Sequence, residues 1–146
     1  MSGKGSVAIE QHIAAPPETV AAFVGDFRNA KRWMVGVEAI EPLGEDAYKL
    51  EIESPVGRIH PEVRVLEHGP TTVRWVYASA VEGGGRVDVV PDANGGCRVS
   101  YEGEFHLKSG LLDRAARFVG AERFARKNGE RSLARLKYLM EAQRLR

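Results

Sequence analysis

CRVSYEGEF at residues 97–105, followed after Ser109-Gly110 by LLDRAARFVGAERFARKNGERSLARLKYLMEAQRLR at 111–146, is the stretch that decides the fold. In its first part Cys97, Val99, Tyr101 and Phe105 alternate with Arg98, Ser100, Glu102 and Glu104. That is a strand with one buried and one wet face. In its second part Leu111, Ala115, Phe118, Ala125, Leu136 and Met140 recur at helical spacing, with Leu112, Val119, Leu133 and Leu139 beside them. That is a long amphipathic helix. Upstream, the alternation repeats in Tyr48-Leu50-Ile52, in Val73-Trp75-Tyr77 and in Val87-Val89. Ile59, Val63 and Val65 share it, and Pro61 in that run predicts an edge position or a bulge. Turn signals separate the runs: Gly44-Glu45-Asp46, Pro55-Val56-Gly57, His68-Gly69-Pro70, Gly83-Gly84-Gly85 and Asp92 to Gly96. The Gly83-Gly84-Gly85 run reads as a flexible turn over a cavity mouth. At the start, SVAIEQHI at 6–13 reads as a strand, and PPETVAAFVGDFRNAKRWM at 16–34 as two short helices. The order is thus strand, two short helices, an antiparallel meander, one long helix. The fold class is α+β. So much sheet against one helix predicts a cavity between them.

Composition narrows the function. The 146 residues form one domain, 1–146, in which 1–5 are expected to be disordered. Cys97 is the single cysteine, which excludes an internal disulfide and fits a reducing cytoplasm. His12, His60, His68 and His106 are scattered, with no CxxC and no HExxH, so neither a metal nor a cofactor is expected. No apolar run is long enough to span a bilayer, and the MSGKGS start carries no secretory signal. The formal charge of +1 hides an asymmetry: residues 111–146 carry ten Arg or Lys against four Asp or Glu. The basic residues encircle the helix without aromatic interleaving. They therefore read as a solvated face laced with ion pairs such as Glu122 with Arg126 and Glu130 with Arg135, and no nucleic-acid partner is expected. Gly120 and Gly129 interrupt the helix, either for close packing or to leave room for a ligand.

Three motifs in this order resemble a known superfamily. Ile13-Ala14-Ala15-Pro16-Pro17-Glu18-Thr19-Val20 resembles its opening strand, small-residue step and first helix. Asp26 with Trp33-Met34-Val35-Gly36-Val37 resembles its "D…W-x-x-x-V" segment. Gly95-Gly96-Cys97-Arg98-Val99-Ser100-Tyr101 resembles its "G-G-T-x-V-x-Y" strand, with Cys97 where Thr is commoner. The chain is similar to the START and polyketide-cyclase superfamily, which includes the birch pollen allergen-like proteins. The resemblance implies a helix-grip fold, in which a curved antiparallel sheet of about seven strands holds the C-terminal helix around a cavity. It does not choose a function, because one fold hosts many activities. Relatives bind lipids, sterols, polyketides or plant metabolites, and some cyclise, aromatise or dehydrate a bound polyketide.

The expected function is binding of a small hydrophobic molecule in the internal cavity. The expected lining is Trp33, Tyr48, Leu50, Val63, Trp75, Tyr77, Val99, Tyr101, Phe105, Phe118 and Ala125. An alternative is a polyketide cyclase, aromatase or dehydratase. In such relatives an inward Arg is thought to position the poly-ketone, and Arg64 falls near that place. His60 and Tyr101 would be the other working groups. Alternation at 62–66 favours Val63 and Val65 inward and leaves Arg64 in solvent, unless a bulge at Pro61 reverses it. A second alternative is a small interaction or stress-response protein using its basic helix. A homodimer is left open. Cys97 on the inner face reads as a small buried hydrophobe.

Overall fold

The computed structural model describes residues 4–54, 57–79, 81–107 and 121–144. Eight strands make one antiparallel sheet: β1 (Lys4–Ile13), β2 (Val37–Gly44), β3 (Ala47–Ser54), β4 (Gly57–Ile59), β5 (Glu62–His68), β6 (Thr72–Tyr77), β7 (Val81–Pro91) and β8 (Cys97–Leu107). Their order is β1-β8-β7-β6-β5-β3-β2, with β4 paired to β3. From β2 onward, strands follow one another as a meander, and β1 closes the far side against β8. Between β1 and β2 lie helix α1 (Pro17–Gly25), a 3-10 turn (Phe27–Asn29) and helix α2 (Ala30–Trp33). After β8 comes the long helix α3 (Ala121–Arg144). The α+β helix-grip reading of the sequence is the architecture found.

Local chemistry explains these boundaries. Pro17 opens α1, where a missing amide costs nothing. Asp26 ends it and caps the 3-10 turn: its carboxylate accepts from the Arg28 amide at 3.1 Å and from the Arg28 guanidinium at 2.9 and 2.8 Å. That guanidinium holds the Asp26 carboxyl below its usual range. The sequence places one strand around Pro61, and the chain breaks there into β4 and β5. Proline has no amide to give the ladder, yet its carbonyl still accepts from the Leu50 amide at 2.9 Å. The break does not reverse the alternation. Val63 and Val65 are buried and Arg64 is exposed.

Two expectations are corrected. Gly83-Gly84-Gly85 is no turn but the middle of β7, paired with Phe105, Glu104 and Gly103 of β8. The glycines are there because larger residues do not fit. A Cβ on Gly84 would stand 2.2 Å from the Trp75 carbonyl oxygen, and one on Gly83 2.3 Å from that of Glu104. Lys4 and Gly5, expected to be disordered, already pair with His106 and Phe105 in β1. Residues 1–3 of that expectation, and Leu111, Leu112, Ala115, Phe118, Val119 and Gly120 of the helix pattern, lie outside the described residues.

The core is continuous. α1 packs on β6 and β7 through Val20 and Val24, and α3 lies along β1. Leu133, Leu136 and Met140 form the buried face of α3. Its two ends are tied to the backbone of β1, which is an edge strand. The Ser6 amide donates to Glu122 at 3.1 Å, the Ala14 amide donates to Glu141 at 2.8 Å, and Lys137 Nζ donates to the His12 carbonyl at 3.3 Å. Glu122 therefore holds a strand amide rather than Arg126, and no ion pair joins Glu130 to Arg135 among the described residues. The ion pair found on this helix is Lys137 with Glu141.

Candidate ligand cavity

Between the concave face of the sheet and α3 lies a cavity of about 230 Å³. Its walls come from every layer. The sheet supplies Leu50, Ile52, Trp75, Tyr77, Tyr101 and Phe105. The segment around α2 supplies Trp33, Met34 and Val35. α3 supplies Phe124, Ala125, Asn128, Gly129 and Leu133.

The wall on the sheet side is shaped by glycine. Gly85 faces Trp75 across β6 and β7, and Gly103 faces Gly85 across β7 and β8. A Cβ on Gly85 would fall 2.3 Å from Trp75 Cζ2, and one on Gly103 2.6 Å from the Tyr101 hydroxyl. The indole and the phenol thus lie down on bare backbone instead of standing up from the sheet. Their rings are 6.3 Å apart and inclined by only 21°. Phe27 closes the other flank of Trp75 at 5.4 Å. Above them, Gly129 lets α3 come close: a Cβ there would meet Ile9 Cδ1 at 2.7 Å and the Tyr101 ring at 3.5 Å. Gly129 therefore serves close packing while it borders the cavity.

Few polar groups face this space. Ser132 Oγ accepts from the Val35 amide at 2.8 Å and donates to the Asn128 carbonyl at 2.7 Å, which ties the α2–β2 turn to α3. Ser54 Oγ donates to the Gly57 carbonyl at 2.6 Å. The Trp75 side chain lies near enough to the Tyr77 hydroxyl to oppose in part the effect of its burial, and the Tyr101 hydroxyl has no hydrogen-bond partner among the described residues. Both residues keep some accessible surface because that surface is the cavity wall. Their hydroxyls still sit deep enough for burial to push both phenols upward, and charge on Tyr77 would push Tyr101 further. Both stay neutral donors at ordinary pH.

Of the residues expected to line the cavity, Trp33, Leu50, Trp75, Tyr77, Tyr101, Phe105 and Ala125 do so. Val63 and Val99 are buried in the packed core rather than on the wall, and Tyr48 packs at a tilt against Phe27, 5.4 Å between ring centroids. Phe118 lies outside the described residues. Arg64 and His60, the candidates for acid–base work, face solvent on the far side of the sheet, where His60 meets Glu51 at 3.4 Å. Tyr101 alone of the three catalytic candidates borders the cavity. Cys97 is fully buried and burial pushes its thiol up, so it is unreactive. Among the described residues no three His, Cys, Asp or Glu side chains converge on a metal site, and no helix is long and apolar enough to cross a membrane.

Asn128 and Ser132 were missed because a search for apolar periodicity skips polar residues. Their signal was spacing: Phe124, Asn128 and Ser132 repeat every four residues beside Ala125, Gly129 and Leu133.

Residues 4–141 match the family described as polyketide cyclase / dehydrase and lipid transport. The chain belongs to that family. No curated protein matches it in sequence. Several solved structures share the family's fold. A conserved protein from Geobacillus kaustophilus superposes with TM-score 0.74 at 16% identity, covering 95% of each chain. A START superfamily protein from Mycobacterium smegmatis gives TM-score 0.73 at 14% identity, over 94% of this chain and 98% of that one. The di-domain ARO/CYC StfQ from the steffimycin biosynthetic pathway gives 0.71 at 10% identity, over 96% of this chain and 51% of that protein. At such identities the likeness is one of fold.

Proposed function

We propose that this chain binds a small, mainly apolar molecule between its sheet and α3. The observation that carries the reading is the cavity itself: 230 Å³ of space walled by aromatic and aliphatic side chains, with neutral tyrosine hydroxyls among its few polar groups. Burying roughly 200 Å² of ligand surface at ~25 cal/mol per Å² supplies about 5 kcal/mol. That corresponds to a Kd on the order of 0.1 mM before any hydrogen bond is counted. The family description, which includes lipid transport, is compatible with such a role.

Cyclase chemistry finds less support. General acid–base catalysis wants a group with a pKa near the working pH. Arg64 and His60 lie outside the cavity, and the two phenols are pushed away from neutrality. Native mass spectrometry of the purified protein, beside a denatured sample, tests the binding reading. A small molecule that leaves on denaturation is the expected result. An apo mass, together with failure of an apolar fluorescent dye to bind, would overturn it.

A further inference from the structure

We propose that the outward half of α3 is a docking surface for single-stranded nucleic acid, its five unpaired cations following the phosphate chain and Tyr138 stacking on a base. The surface lies on the side of α3 away from the cavity, and the proposal does not rest on the binding reading above. Three observations carry it.

The first is how the charges are sorted. Arg123, Arg126, Lys127, Arg131 and Arg135 are all exposed. At about 100° per residue they fall within one half of the helix circumference. Leu133, Leu136 and Met140 occupy the other half, against the core. Basic residues expected to encircle the helix are thus gathered on one side of it. Nor are they neutralised. Glu122 accepts from the Ser6 amide, and Glu141 is taken by Lys137 and the Ala14 amide. None of the five cations has an ion pair or hydrogen bond among the described residues. Glu130 is the one remaining acid of α3 among them, so the outward half sets five positive charges against one negative. Arg123, Lys127, Arg131 and Arg135 stand four residues apart in one row, a spacing at which like charges destabilise a helix. A polyanion turns that cost into attraction.

The second is reach. The four cations of the row follow one another at about 6 Å and span about 18 Å. A strand lying along α3 can therefore meet them one after another. Four of the five cations are arginines, whose planar guanidinium pairs with phosphate through two hydrogen bonds.

The third is Tyr138. It is 73% exposed and is the one exposed large apolar side chain of α3 among the described residues. It stands three residues after Arg135 and seven after Arg131, on the same face. An exposed ring among cations is a platform on which a base stacks. A bilayer fits this face less well. A helix that lies on lipid buries its apolar side there, and in α3 that side is in the core. A flat surface also meets one stripe of a helix, whereas a flexible strand bends around the whole fan of cations.

The test is fluorescence anisotropy of the full chain with a labelled oligo-dT of about fifteen nucleotides, near the upper site size of single-strand modules. The association constant should fall with salt at a log–log slope of about −3, from about −0.7 per neutralised phosphate, which is a loss of about 60-fold between about 50 and 200 mM salt. Arg131→Gln together with Arg135→Gln should bring the slope to about −1.5, and Arg123→Gln with Lys127→Gln should do the same. Tyr138→Ala should weaken binding about fivefold or more at every salt concentration and leave the slope unchanged. No binding at about 50 mM salt, a slope unaltered by the paired substitutions, or a Tyr138→Ala protein that binds as tightly as the original would each overturn the proposal. So would binding to phosphatidylserine-containing vesicles with the oligonucleotide ignored, which would assign the face to a membrane.

Discussion

Replacing Gly85 by alanine adds one methyl group to a strand, which ordinarily helps. Its φ lies outside the positive range, so alanine can adopt the backbone, and stiffening the unfolded chain should stabilise by about 0.4–1 kcal/mol. The added Cβ, however, falls 2.3, 2.7 and 2.9 Å from three atoms of the Trp75 indole. That ring has nowhere simple to go: Phe27 lies at 5.4 Å and Tyr101 at 6.3 Å, and Trp75 is only 3% exposed. Overpacking of this kind costs about 1–3 kcal/mol. The clash should win, for a net loss of about 1–2 kcal/mol, or about 3–7 °C in Tm for a chain of this length. Thermal melts followed by tryptophan emission should show the loss together with a shifted spectrum. Gly25→Ala is the control, since its Cβ meets nothing within 4 Å. In a Trp75→Leu background the Gly85→Ala penalty should vanish. A Gly85→Ala protein as stable as the original, or a penalty unchanged without the indole, would refute the account of a ring lying on bare backbone.

Other changes separate core, clasp and surface. Leu136→Ala removes a side chain with no exposed surface and should cost about 2–5 kcal/mol in urea denaturation. Ser132→Ala leaves the Val35 amide without its acceptor and should cost about 1–3 kcal/mol, with faster exchange of that amide proton. Glu141 has its pKa lowered by Lys137 and the Ala14 amide, so its contribution is present above about pH 4.5 and is lost as pH falls through the folded value. Glu141→Gln should therefore cost about 1 kcal/mol at pH 7 and progressively less as the pH falls below 4.5 in paired urea melts. Arg64→Ala, on the exposed face, should change stability by less than about 0.5 kcal/mol and leave ligand binding unaltered.

The fold was legible because its signals are local and repeated. The alternation of Cys97, Val99 and Tyr101, and the spacing of Leu133, Leu136 and Met140, each state which face is buried. The same alternation kept Arg64 outside despite Pro61. What the sequence did not disclose are matters of distance between segments. Glycine usually marks a turn, and Gly83-Gly84-Gly85 was read so. Only the register of β7 between β6 and β8 shows that neighbouring backbone and the Trp75 ring occupy the places of the missing side chains. Likewise, alternation assigns Val63, Tyr48 and Val99 to the inner face but does not say where that face is filled and where it is hollow. The hollow depends on how close α3 approaches, which Gly129 and Ser132 set.

The ties between α3 and β1 bear on how the molecule behaves in crowded or heated solution. A strand at a sheet border offers unpaired amides and carbonyls to any passing strand. Here one border, β1, has outward groups at Ser6, His12 and Ala14 taken by a helix, while the other, β2, is blunted by Pro42 and by two irregularities in its register. One safeguard is written into the covalent chain and survives any local loosening. The other lasts only as long as the helix stays in place. Self-association on warming should therefore begin at the β1 border, with release of the helix, before the sheet itself melts. Colloidal lifetime is then governed by how firmly one helix is held, through its polar ties to the β1 border and its buried Leu133, Leu136 and Met140.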